Sequence, residues 1–423
     1  MTRFILRTDR AEAAAGGRLL DWFDDDPASS AIGLRPSRRL DATPAAGASA
    51  LMRFATAVTV VDQLEPRWST DDGWTRNIEL SVPGARVPVL GAASTREMLG
   101  FLTGDRWLVE RRRGSAMTRI GAPAADGDAV CLLSGGLDSL IGAIDLLASD
   151  NRRRLLLVSV QDQTVSVSRQ SAIVRELRRR YPDRLDHVSL EVKSGKVEDT
   201  TRARSLLFIA WGLLCASAIG PDVPLYVPEN GMIGLNAPLI GTRRGSASTR
   251  TTHPHFMVQL GRFTESLGIT NPIVNPLRLL TKGEAAVRCA DQDALAVLAT
   301  TSISCAHPTA NRWIHVPGAC GYCYPCLIRR ASLHVVGLDT EPYVFDVLTD
   351  RTFLGRRSSS RPASLRAVLT AIRRGSRPAD ALANGPVPAG EAAAFADVHA
   401  RGLAELERWL RTATAPDVLA WLP

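Results

Sequence analysis

From Ala129 onward, short apolar runs alternate with amphipathic stretches. AVCLL and RLLLVSVQ are apolar almost throughout, as strands buried on both faces require. Between them SLIGAIDLLAS has helical spacing, and SVSRQSAIVRELRRRYP reads as an amphipathic helix stopped by Pro182. LDHVSLEV predicts a third strand and VPLYVPE a fourth. DTTRARSLLFIAWGLLCASAIG predicts a long buried helix, capped by Asp199 or Thr200 and ended by Gly220 and Pro221. Strand and helix in alternation imply an α/β fold, a parallel sheet with right-handed crossovers and flanking helices.

The flanks read differently. In residues 1–125, RFILR and RNIELSVPGARVPVL look extended and SALMRFATAVTVVDQL carries helical spacing, an α+β mixture. The linker GAPAADGD, Gly121–Asp128, marks a boundary. From about Gly355 the chain is low in complexity around two helical segments, SLRAVLTAIRRG and AAAFADVHARGLAELERWLRTA, which predict a helical appendage on a mobile link. Three regions follow: 1–125, 126–340 and 341–423. Two or three domains suit a length of 423 residues.

Composition narrows the function classes. Hydrophobic residues make up 45% and charged residues 22%, an ordinary globular balance. A net charge of +8 suits anionic ligands without demanding nucleic acid. The arginine runs at Arg111–Arg113, Arg152–Arg154 and Arg175–Arg180 read as solvated faces, while TRRGSASTR, Thr242–Arg250, lies in a small-residue loop. The start, MTRFILRTDRAEAA, lacks the apolar core of an export signal. The most apolar stretch, Ser205–Pro221, falls short of the roughly 20 residues that span a bilayer. A cytoplasmic protein with no membrane contact is expected. Its seven cysteines then read as metal ligands or buried thiols, not disulfides.

Two motifs carry chemistry. SGGLDS, Ser134–Ser139, follows the first buried strand and opens a helix. Backbone N–H groups converge at such a turn, the helix start adds partial positive charge, and Gly135 and Gly136 allow close approach. Asp138 or Ser139 is placed to cap the helix. The loop lacks the lysine of G-x-x-x-x-G-K-[ST] and matches neither G-x-G-x-x-G nor G-x-S-x-G. It resembles the S-G-G-x-D-S loop of the PP-loop ATP pyrophosphatases, enzymes that transfer AMP to a substrate oxygen and release pyrophosphate. That resemblance implies ATP and Mg²⁺ as cofactors, held by Ser134, Gly135, Gly136, Asp138 and Ser139.

The second motif is Cys305, Cys320, Cys323 and Cys326, spaced C-x₁₄-C-x₂-C-x₂-C. Four thiolates close a tetrahedral Zn²⁺ site with no position left for water. An iron–sulfur cluster uses similar spacing, and His307 or His315 could replace one cysteine. Cys131, Cys215 and Cys289 lie on apolar elements and read as core thiols. A PP-loop followed by this cluster and LIRRASL resembles the 7-cyano-7-deazaguanine synthase family. TRARSLLFIAWGLLCASAIG is similar to its arginine-led helix, with Arg204 as the arginine, and NPLRLLTKGEAAVRCADQ to its lysine segment, with Lys282 as the lysine.

The resemblance covers about Ala129–Leu338. It implies an ATP-dependent ligase that adenylates a deazaguanine carboxylate and forms an amide or nitrile, with Lys282, Asp138 and Arg204 at the reacting centre and zinc as a structural ion. Where the family carries an acidic stretch around the base, this chain keeps Glu229 but then turns basic at Arg243, Arg244 and Arg250. Glu229, Arg243 and Arg244 are therefore the expected substrate contacts, with an altered acceptor. The length resembles the extended QueC-like proteins of bacterial antiphage systems, Qat and type IV CBASS among them. That implies a protein partner, with nucleic acid an open option. A tRNA-modifying PP-loop enzyme and a non-catalytic defence subunit remain as alternatives.

Overall fold

The computed structural model describes the chain except residues 12–15, 24–28, 84–86, 113–118, 162–163, 242–248, 307–317 and 357–358. The protein is α/β, with two sheets rich in parallel pairs. At the start of the chain lie β1 (Thr2–Arg7), β2 (Arg18–Asp21) and β3 (Gly33–Pro36), then helix α1 (Ala46–Leu64). β4 (Asn77–Pro83), α2 (Ala93–Thr103) and β5 (Arg106–Arg112) follow. β2, β1, β4 and β5 form a four-stranded sheet in that order, every pair parallel. RNIELSVPGARVPVL is not extended to its end: Pro88–Gly91 forms a 3₁₀ turn, which the fixed φ of Pro88 starts.

The larger sheet begins with β6 (Ala129–Leu132), α3 (Leu137–Ala148), β7 (Leu155–Gln161), α4 (Thr164–Arg180) and β8 (Leu185–Lys193). It continues through α5 (Arg204–Ile219), β9 (Leu225–Tyr226), α6 (Gly231–Leu235), α7 (Pro254–Ser266) and β10 (Ile273–Val274). The strand order is β10–β9–β6–β7–β8–β3. The four predicted strands are there, with two added at the edges. β10 is parallel to β9, and β3 runs antiparallel to β8 with Gly33 opposite Lys193. The boundary drawn at Gly121–Asp128 is therefore crossed by the sheet itself.

Alternate residues explain why β6 and β7 are apolar on both sides. Val130, Leu132, Leu156 and Val158 pack toward α5, whereas Ala129, Cys131, Leu155 and Leu157 pack toward α3 and α4. α1 lies against α5 and against the small sheet, so its side chains are buried nearly all round and one core runs from Phe4 to Ile269. Asp199 and Thr200 do not cap α5. Asp62 of α1 does so instead, its Oδ2 accepting from Arg202 N at 2.5 Å and Ala203 N at 2.8 Å. Asp62 and Asp105 also neutralise the buried Arg67 and Arg76 across 2.5–3.5 Å. A cap supplied from so far along the chain has no local sequence signal.

The remaining helices are α8 (Lys282–Arg288), α9 (Gln292–Leu298), α10 (Tyr324–Val335), α11 (Ala363–Arg374), α12 (Ala392–Leu410) and α13 (Pro416–Trp421). The tail is helical as expected, but it is not an appendage. Phe395, Val398, Leu403, Leu406 and Trp409 of α12 are buried, and the helix packs against α6, α8 and α10. Among the described residues no helix is long and apolar enough to cross a membrane.

His253 sits where the three regions meet. It is fully buried between Phe101 of α2, 5.1 Å away by ring centroids, and Gly385 of the tail. Its Nδ1 accepts from His255 N at 3.2 Å, capping α7. Burial, reinforced by the Arg250 charge, lowers its pKa from 6.5 to about 3. A histidine that resists protonation only when folded contributes stability above the unfolded pKa, and this is lost as pH falls through 6.5 toward about 3. His253→Asn, which keeps an acceptor for the cap, is expected to flatten that acid limb of a denaturation-against-pH curve. An unchanged acid limb would show that His253 does not control it.

Candidate functional site

The loop after β6 lies at the carboxyl ends of the parallel strands. From β6 the chain moves outward through β7 and β8, then α5 returns it to β9 on the other side of β6. Such a reversal opens a crevice between the strands that flank it. Here it is a cleft of about 600 Å³, lined by Ser134, Gly136, Asp138, Arg204, Glu229, Lys282, Ser304 and Cys305 among others.

Gly135 holds φ +88°, left-handed backbone that favours glycine. Gly136 is the N-cap of α3 and has no side-chain cap; neither Asp138 nor Ser139 fills that role. The hydroxyls fold the loop instead. Ser139 Oγ donates to Gly136 O at 2.9 Å and accepts from Ser134 N at 3.2 Å. Gly136 N donates to Ser134 Oγ at 3.3 Å and Leu137 N to Ser304 Oγ at 3.4 Å. These bonds are long and end on neutral acceptors, so a charged oxygen would compete well for both N–H groups.

Asp138 is turned into the cleft wall. Its Oδ1 lies 3.1 Å from Lys282 Nζ, with both side chains almost wholly buried. Its Oδ2 accepts from Asn230 Nδ2 at 2.7 Å and Asn230 N at 3.3 Å. The pair joins residues 144 positions apart in sequence. α8 presents Lys282 through a complete capping box of Thr281 and Glu284. Glu229 stands beside Asn230. Burial raises its carboxyl above the ordinary range and the Asp138 charge adds to this, while hydroxyls of Thr252 and Thr251 favour the ionised form.

The four cysteines converge, with all four sulfurs within 4.8 Å of one another. Cys320 Sγ and Cys326 Sγ are 3.8 Å apart, which matches the edge of about 3.8 Å for a tetrahedron with Zn–S bonds near 2.3 Å. Backbone N–H groups of Ala306, Cys320 and Cys323 point at the sulfurs of Cys323, Cys305 and Cys320 from 3.4–3.5 Å. Hydrogen bonding from Cys320 and its neighbours pulls the Cys305 thiol far down, whereas Cys326 is pushed up. The set cannot ionise fully without a cation at its centre, so its geometry and chemistry fit Zn²⁺. Cys131, Cys215 and Cys289 are buried with raised thiol pKa values, Cys289 to about 12 by burial.

The cluster reaches the loop directly. Ile303 N donates to Gly135 O at 2.8 Å, Ser304 Oγ accepts from Leu137 N, and Cys326 Sγ lies 3.7 Å from Ser304 O. Arg329, fully buried on α10, braces the same segment through Ser302 Oγ at 2.8 Å and Ala299 O at 2.6 Å.

Arg204 opens α5 and lines the cleft, its guanidinium 5.4 Å over the Phe208 ring. Arg250 serves elsewhere: it donates to Phe101 O at 2.7 Å and to Asn384, joining α2 to the tail. Arg243, Arg244, His307 and His315 lie outside the described residues. Asn230, through its bond to Asp138, and the lining residues Ser304, Gln161 and, from α1, Thr59 and Gln63 join the site without having been foreseen. An Asn-Gly pair before a short apolar stretch is a cap signal that could have located Asn230. The others stand on elements whose local pattern says only strand or buried helix. The chain matches no protein-family model, no curated protein and no solved structure.

Proposed function

We propose that the protein is an ATP-dependent ligase that adenylates a 7-deazaguanine carboxylate and passes the acyl group to an amine. The supporting observation is that Ser134, Gly136, Leu137 and Asp138 of the loop, Lys282, Glu229 and Cys305, distant in sequence, line one cleft at the strand reversal. A substrate carboxylate oxygen attacks the α-phosphorus and pyrophosphate leaves. The amine nitrogen then attacks the acyl carbon and AMP leaves. Gly136 N–H and Leu137 N–H would hold phosphate oxygens, and Lys282 would offset the charge that builds on the leaving pyrophosphate. Asp138 and Glu229 put two carboxylates on the cleft wall, the hard oxygen donors that would hold Mg²⁺, which when bound neutralises phosphate charge. Glu229, which lines the same cleft, would accept from the donor edge of a purine-like base. The PP-loop character of the sheet, zinc as the resident ion and a protein amine as acceptor belong to the same proposal.

A thiolase would need a reactive cysteine in the cleft. Among the described residues the only lining cysteine, Cys305, belongs to the metal cluster. The test is isotope exchange between pyrophosphate and ATP with 7-carboxy-7-deazaguanine. Exchange that depends on the carboxylate is expected. Failure to form AMP and pyrophosphate with that acid, with and without ammonium, would overturn the reading.

A further inference from the structure

We infer that Glu405, on the tail helix α12, is a positioning residue for Lys282. The inference rests on the reading that the Asp138–Lys282 pair acts on ATP, and adds what holds that pair in place. Glu405 is buried, and its carboxylate grips the two residues on either side of Lys282. Thr281 Oγ donates to one oxygen and Gly283 N donates to the other at 3.3 Å. With both flanking residues fixed, the Cα of Lys282 cannot shift. A Cβ on Gly283 would sit 2.6 Å from Glu405 Oε1, so a larger residue here would push the Glu405 carboxylate off its present position.

One turn earlier on α12, Arg401 donates to Glu284, the other half of the capping box, and to Leu279 O at 3.2 Å. The same helix also seats the other partner of Asp138. A Cβ at Gly402 would lie 2.2 Å from Met232 Sδ, and one at Gly231 would lie 2.9 Å from Val398 Cγ1, so α12 packs directly on α6, whose N-cap is Asn230. Gly231 N donates to Leu280 O at 2.8 Å, tying the start of α6 to the residue before Thr281. Both groups that hold Asp138 therefore stand on helices gripped by α12.

Packing alone does not call for a carboxylate here. Glu405 makes no ion pair among the described residues, and a buried acid costs stability unless its oxygens are used. An apolar side chain would fill the space at lower cost but could not hold Thr281 and Gly283.

The composition offers a direct readout. Of 51 basic residues only Lys193, Lys196 and Lys282 are lysines, so lysine labelled with ¹³C at Cε gives three signals, assigned by Lys282→Arg. In wild type the Lys282 signal should stand apart from those of exposed Lys193 and Lys196. Glu405→Gln can still accept from Gly283 N and pair with Thr281, and should keep the signal and kcat within about threefold. Glu405→Leu should move the signal toward the exposed pair and lower kcat roughly 100-fold, with little change in KM for ATP. Glu405→Asp, one methylene shorter and folded even if the leucine variant is not, should fall between. A folded Leu or Asp variant whose Lys282 signal is unmoved would overturn the inference. If wild type turns over no ATP, the functional reading fails, and the lysine signals still decide whether Glu405 positions Lys282.

Discussion

Lys282→Met is expected to abolish most ATP turnover and to destabilise the fold as well. The substitution removes the cation that pairs with Asp138 of the SGGLDS loop, and on the proposed function losing one group that stabilises transition-state charge lowers kcat by roughly 10²–10³. It also strands Asp138. That carboxylate is almost wholly buried, and with Lys282 gone only Asn230 among the described residues remains bonded to it. Breaking a buried pair from one side costs about 3–5 kcal/mol. The double variant Asp138→Asn with Lys282→Met removes the stranded charge. It should regain most of the lost stability in urea denaturation but none of the pyrophosphate release. If the single variant melts like wild type, the pair is not a buried ion pair in solution. If the double variant recovers turnover, Lys282 does not act on the phosphates.

Removing the metal is expected to have the larger structural effect. The chain should bind one zinc per molecule, measured by elemental analysis, and Cys320→Ser should bind none. Cys320 is fully buried, and its Sγ accepts from Cys323 N. A structural zinc contributes on the order of 10–16 kcal/mol in small zinc-binding peptides, more than most domains have in total. Its loss should free the segment at Ile303 and Ser304, and with it the Gly135 and Leu137 contacts. Chelation should therefore raise protease cleavage near Cys305–Cys326 and weaken ATP binding together. Chelated protein that keeps its melting temperature and its ATP affinity would show that the cysteines need no ion. Iron with the absorbance of a cluster, in place of zinc, would correct the ion's identity.

How much of this was legible in the chain can be traced residue by residue. AVCLL, RLLLVSVQ and LDHVSLEV announced strands because a two-faced burial leaves no polar phase, and SGGLDS announced a glycine turn from strand into helix, which Gly135 at φ +88° makes. The cysteine spacing announced a single-ion site. VPLYVPE overstated its strand, which pairs over Leu225–Tyr226 alone. β3 was missed because GLRP has no strand pattern; it pairs at the edge of the sheet, where backbone hydrogen bonds suffice. The tail was misread because its small, polar linkers hide how well α12 fits α6, a fit made by Gly402 and Gly231 that depends on facing side chains.

Local order and the grouping of the four cysteines were thus in the sequence, because periodicity and metal-ligand spacing act over a few residues. Tertiary structure decided which motifs meet. It set Lys282 against Asp138, brought Ser304 under the loop, used Asp62 to start α5 and Glu405 to hold α8. Each of these is a contact between elements far apart along the chain, and its energy comes from burial shared by both partners, which neither segment's own pattern can express.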